Sequence, residues 1–141
     1  FTPSNAPFVI GKADILTQGN DVTICANGHL VWEALEAANA LEAEGIHAEV
    51  INFATIKPLD LESLLASVGK TGRVVTAEEH QRHGGLGDSI AQALGMHLPS
   101  PIEMVAVNDS FGESGTPAQL LTKYGLDAAN IVAAVKRVMN R

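Results

Sequence analysis

Aromatic residues are scarce in this sequence: Phe, Trp and Tyr together make up 4% of it, with a single Trp and a single Tyr. So few rings leave little for stacking bases or sugar faces, and the core must be built from Ala, Val, Leu and Ile. Positive charge is also short. Nine Lys and Arg face 16 Asp and Glu, for a formal net charge of −7. A surface of that sign repels phosphate backbones, so no nucleic-acid partner is expected. Cysteine occurs once. Cys25 has no partner for an internal disulfide and stands inside an apolar run, as a small buried hydrophobe in a reducing compartment would. No apolar run approaches the roughly 20 residues that a membrane helix needs. No basic start followed by an apolar stretch marks a signal peptide. A cytoplasmic location without membrane attachment is the expectation.

Familiar catalytic signatures are missing as well. No serine sits in a Gly-x-Ser-x-Gly elbow. There is no Gly-x-x-x-x-Gly-Lys-Ser/Thr phosphate loop, and Gly84-Gly85-Leu86-Gly87 does not match the dinucleotide fingerprint. The 141 residues suffice for one domain with a core of its own. The chain opens on Phe1 rather than methionine, which fits a piece cut from a longer polypeptide.

What is present is an alternation of strands and helices. Residues 1–12 read as a polar, Pro-containing linker arm, with the domain proper over 13–141. The run Asp21–Asn27, rich in β-branched residues and preceded by the turn formers Gly19-Asn20, predicts a buried strand. Val31, Ala34, Leu35, Ala38 and Leu41 recur at helical spacing, predicting a helix from about His29 to Glu44 that Gly45 closes, with Glu33, Glu36 and Asn39 on its other faces. A strand over His47–Ala54 follows, then a helix capped by Asp60 and closed by Gly69. Arg73–Glu79 is a third strand, and a glycine-rich turn leads into a helix from about Gly87 to His97. Pro101–Asn108 is the last strand. Thr116-Pro117-Ala118-Gln119 starts a helix that ends at Gly125, and a final helix from Asp127 buries Ile131, Val132, Val135 and Val138. This pattern predicts an α/β domain of three layers, α/β/α, on a largely parallel sheet.

In such sheets ligands gather at the carboxyl ends of strands, where neighbouring crossovers diverge. Two loops lie there: Asn27-Gly28-His29, and the stretch from Glu78 and Glu79 through His80, His83, Gly84 and Gly85 to Gly87. Main-chain amides of a glycine turn at a helix start can hold an anion. The plainer reading is that the glycines let the helix approach the strand closely. Glu78, Glu79, His80 and His83 are then solvated or paired across a subunit interface rather than metal ligands, since no second Cys/His cluster exists. His47 and His97 read as surface residues. Use of Glu79 and His80 as an acid–base pair is disfavoured, because adjacent residues at a strand end point to opposite faces.

Several ordered stretches together resemble the C-terminal domain of the transketolase family. They are Ile10-Gly11-Lys12-Ala13, Asp21-Val22-Thr23-Ile24 with Asn27-Gly28, and Ile56-Lys57-Pro58-Leu59-Asp60. Then come Thr76-Ala77-Glu78-Glu79-His80 leading into Gly84-Gly85-Leu86-Gly87, Phe111-Gly112-Glu113-Ser114-Gly115, and Leu120 to Leu126. The resemblance implies a five-stranded mixed sheet of order 1-3-2-4-5 whose first strand, about Asp14 to Thr17, is antiparallel to the rest. It also implies a thiamine-diphosphate-dependent enzyme that transfers two-carbon ketol units between sugar phosphates in pentose phosphate metabolism. Other domains would hold the thiamine diphosphate and Mg2+.

On this reading the chain carries no catalytic, cofactor-binding or metal-binding residue and is inactive alone. Its partners are the N-terminal cofactor-binding domains or subunit of the same enzyme, assembled as a homodimer. The loop set Asn27, Gly28, His29, Glu79, His80, His83, Gly84, Gly85 and Gly87 is the candidate interface or anion-binding site. Gly87-Asp88 with Asn108 faintly echoes the family's magnesium signature, but Ser89, Asp109 and the short interval depart from it. Deoxyxylulose-phosphate synthase and the beta subunit of 2-oxo acid dehydrogenases are the alternatives within the family. An effector- or phosphate-binding module is the alternative outside it.

Overall fold

A computed structural model describes residues 12–54, 58–79, 85–107 and 117–141. Five strands run in chain order: β1 (Asp14–Ile15), β2 (Val22–Ala26), β3 (Ala48–Asn52), β4 (Val74–Glu79) and β5 (Ile102–Val107). Four helices join them: α1 (Leu30–Glu42), α2 (Leu61–Thr71), α3 (Leu86–His97) and α4 (Pro117–Met139). The sheet has the order β1-β3-β2-β4-β5. β1 is antiparallel to β3, while the β2–β3, β2–β4 and β4–β5 pairs are parallel. The mixed sheet with an antiparallel first strand is therefore the one that the family resemblance implies, where the residue pattern alone predicts a largely parallel sheet.

Strand alternation sorts the core into two layers. Val22, Ile24, Ala26, Ala48, Val50, Val75 and Ala77 turn to one face and pack with Leu30, Ala34 and Leu41 of α1 and Ile131, Ala134, Val135 and Val138 of α4. Cys25, Ile51, Phe53 and Val74 turn to the other, under Leu64 and Val68 of α2 and Leu86, Ile90 and Leu94 of α3. Every residue of β2 is buried, as a central strand covered on both sides requires. Its one hydroxyl on the second face, on Thr23, is satisfied by Ser67 and Thr71 of α2, each at 2.7 Å.

Local chemistry sets the helix ends. Asp60 caps α2: its carboxylate accepts from the Ser63 amide at 3.1 Å and the Ser63 hydroxyl at 2.6 Å, and ties in the Ala13 amide at 2.8 Å. The sequence reading closed this helix at Gly69, but α2 continues to Thr71 and ends on Gly72 at φ 77°. Gly69 therefore stays helical, because the left-handed closure falls on the later glycine. Gly45 takes φ 81° just past α1, as expected. The last two predicted helices are one. α4 runs unbroken through Gly125, since an interior glycine costs only about 1 kcal/mol relative to alanine and need not end a helix.

Candidate functional site

The carboxyl edge of the sheet brings the ends of β2 and β4 together, because these strands are neighbours with Ala26 beside Ala77. After β2, Asn27 is half-buried, Gly28 is exposed and left-handed at φ 59°, and His29 is the half-buried N-cap of α1. The Gly28 and His29 carbonyls accept the Val31 and Trp32 amides, each at 3.2 Å. The turn is thus an αL step that redirects the chain straight into a helix.

After β4, Glu78 and the start of α3 form a closed arrangement. One Glu78 carboxylate oxygen accepts the Leu86 amide at 2.8 Å and the other accepts the Gly87 amide at 2.5 Å. These are donors that a helix start leaves without intrahelical partners, and the helix dipole favours a negative group there. The anion at this helix start is the chain's own carboxylate. This corrects the expectation of a solvated Glu78: the residue is buried and serves as a side-chain cap supplied from a neighbouring strand. Gly85 is the extended N-cap, and its carbonyl accepts from Ser89 at 3.1 Å. Gly87 is where the helix presses on the sheet. A Cβ there would stand 2.8 Å from a Glu78 oxygen, 3.1 Å from the Thr76 hydroxyl and 3.2 Å from the Met104 sulfur. The close-approach reading of the glycine run therefore holds at Gly87. Glu79 ends β4, while His80, His83 and Gly84 lie outside the described residues, as does Asn108.

Two features of this edge were missed in the sequence, both on α1. Trp32, the only tryptophan, is 56% exposed one turn beyond the Asn27–His29 loop. Glu33, assigned above to a face of α1 other than the apolar stripe, is instead buried against α4 beside the buried Asp127. Burial, followed by the charges of Glu36 and Asp127, pushes its carboxyl up to about 7, and the Ala128 amide opposes this only in part. Helical spacing alone hid Glu33, because the buried stripe of α1 is wider than its apolar residues. Cys25 is fully buried, and burial raises its thiol far out of the reactive range. His47 and His97 are exposed, as read.

Among the described residues, no group of three or more His, Cys, Asp or Glu side chains is arranged to hold a metal ion. Two of the amides at the start of α3, those of Leu86 and Gly87, are committed to Glu78. No described helix is long and apolar enough to cross a membrane.

Comparison with known proteins agrees with this architecture. The family model described as "Transketolase, C-terminal domain" matches residues 11–131. The 6-deoxy-6-sulfo-D-fructose transketolase subunit SqwH of a Clostridium species is 49% identical over 97% of this chain and 42% of its own length. A putative transketolase C-terminal section from Methanocaldococcus jannaschii is 41% identical over 96% of this chain and 42% of its own. The 1-deoxy-D-xylulose-5-phosphate synthase of Heliobacterium modesticaldum is 40% identical over 92% of this chain but only 20% of its own. A solved structure titled "Split gene transketolase, inactive beta4 tetramer" superposes with a TM-score of 0.85 at 49% identity, over 98% of this chain and 45% of that one. The chain thus spans less than half the length of these relatives.

Proposed function

The chain belongs to the transketolase family as its C-terminal domain, and we propose that it is the assembly domain of a thiamine-diphosphate-dependent transketolase. In this reading the rest of the enzyme binds thiamine diphosphate and Mg2+ and moves two-carbon ketol units between sugar phosphates. This chain contributes no reacting group and completes the packing of a cytoplasmic homodimer. Relatives named as a transketolase subunit and as a transketolase section support transketolase over the other family members.

The observation that carries the reading is the state of the carboxyl edge. Where open α/β sheets usually receive a ligand, the Leu86 and Gly87 amides at the start of α3 hold Glu78 instead. The same edge of the sheet carries, at the start of α1, an exposed Trp32 and the short Asn27–His29 turn, a surface suited to packing against another domain. Asn27, Gly28, His29, Glu79, His80, His83 and Gly84 are proposed as that interface, Gly85 and Gly87 being buried within this chain instead.

The test mixes this chain with the separately produced cofactor-binding part of the enzyme. Ketol transfer is expected only from the mixture, together with a blue shift of Trp32 emission on docking. Titration of this chain alone with thiamine diphosphate and Mg2+ is expected to give no saturable heat. Tight cofactor binding by the isolated chain, or ketol transfer by it alone, overturns the proposal.

A further inference from the structure

Glu33 is 6% exposed and Asp127 is 5% exposed, and the two lie across the contact between α1 and α4. Oε1 of Glu33 is buried and has no hydrogen-bond partner among the described residues, while the carboxyl receives a hydrogen bond from the Ala128 main-chain amide. An acid in this position is stable mainly as the neutral form, because desolvation and like charge both act against the anion. Around it α1 supplies Glu36 and, one turn earlier, His29, and α4 supplies Asp127. In this layer the described strand residues are Val22, Ile24, Ala26, Ala48, Val50, Val75, Ala77 and Val105, with the half-buried Asn52 at the end of β3 and with Glu103 of β5 paired to Arg137 of α4 and to Arg141 just past it. Lys136 of α4 lies farther along and pairs with Glu44 beyond the end of α1, at 2.9 Å.

We propose that Glu33 and Asp127 form a proton-linked joint between α1 and α4, closed while Glu33 holds its proton and loosened when that proton passes to solvent. Ionisation would place a charged Glu33 in a poorly hydrated contact that also holds Asp127, itself engaged in an interaction of its own. The contact relieves this by admitting water and letting the α4 backbone around Ala128 open. The joint sits at the end of α1 that adjoins Asn27–His29, so a change in proton uptake is transmitted to the edge of the domain and does not depend on which substrate the whole enzyme takes.

Hydrogen exchange of this chain between pH 5.5 and 8.5, corrected for intrinsic base catalysis, tests the joint. Protection of the α4 amides near Ala128 is expected to fall on the order of tenfold as pH rises through neutrality, while β2 and β4 stay unchanged. In Glu33→Gln the α4 profile is expected to be flat. A flat wild-type profile, or the same pH dependence in both proteins, overturns the proposal. Should Glu33→Gln fail to fold, carbon-13 titration of the wild-type carboxyls decides. A Glu33 midpoint near 7 supports the joint, and a midpoint in the ordinary range near 4.5 ends it.

Discussion

The Glu78 carboxylate occupies the ground where a side chain at Gly87 would stand, and it is held there by the Gly87 amide itself. Each residue thus fixes what the other is permitted to be. A larger residue at 87 displaces the carboxylate, and a shorter or uncharged residue at 78 leaves the helix start without its acceptor.

Gly87→Ala is expected to destabilise the domain by about 1–3 kcal/mol, the usual range for a group forced into a packed site. Urea unfolding reads this as a lower midpoint at unchanged slope. A midpoint equal to wild type would mean that α3 lifts off the sheet at no cost.

Glu78→Gln keeps the size of the side chain but can accept through only one of its two ends. The expected loss is about 1–3 kcal/mol, since two amides share a charged acceptor in the wild type. Faster exchange of the Leu86 and Gly87 amides is the accompanying sign.

Stability should peak on the acid side of neutrality. Burial works against the charge on Glu49, but hydrogen bonds from Lys70, Ser67 and the Gly19 amide outweigh it and hold the carboxyl below its ordinary 4.5. Asp60 is likewise held below 3.8, burial being outweighed by Ser63, the Ala13 amide and the Lys12 charge. The stability these two contribute is present above those ordinary values and is lost as pH falls through the lower folded ones. Glu33 runs the other way: its contribution is full below 4.5 and is lost as pH rises toward 7. Urea midpoints taken from pH 3 to 9 should therefore rise and then fall, with Glu33→Gln removing the falling limb.

Glycine substitutions should split by location. At Gly19 a Cβ would run into the His47 carbonyl and come within 2.7 Å of the Ala48 carbonyl carbon, main-chain atoms that β3 holds in place. Gly19→Ala is expected to cost more than about 2 kcal/mol. Gly69 and Gly95 lie inside α2 and α3 with open space where a methyl would go. Alanine at either should stabilise by about 0.5–1 kcal/mol, seen as a higher melting temperature.

Much of this fold was legible in the chain, for physical reasons that differ by element. β2 was plain because a strand covered on both faces must be largely apolar, and Val22 to Ala26, with Thr23 its one polar residue and turn formers before it, has few other fates. The Asp60 cap was plain because a short acid before a helical run has a backbone amide to serve. The end of α2 was not, since two glycines three residues apart both suit a closure and only packing chooses between them. The unbroken course of α4 through Gly125 was equally hidden, because a glycine weakens a helix without forbidding it. At the carboxyl edge, the loops were found from strand order and glycine content. The roles of Glu78 and Glu33 were not, because each depends on a helix that arrives from elsewhere in the chain.

Cys25 lies in the middle of the central strand with no exposed surface, and it is the only thiol in the sequence. A dye or spin label attached through an added cysteine at Gly28 or Trp32 would therefore mark that position alone in the native state, with no need to remove the resident sulfur. Conversely, alkylation of Cys25 in the unaltered chain can proceed only through opening of the sheet, so its rate is a clock for that event.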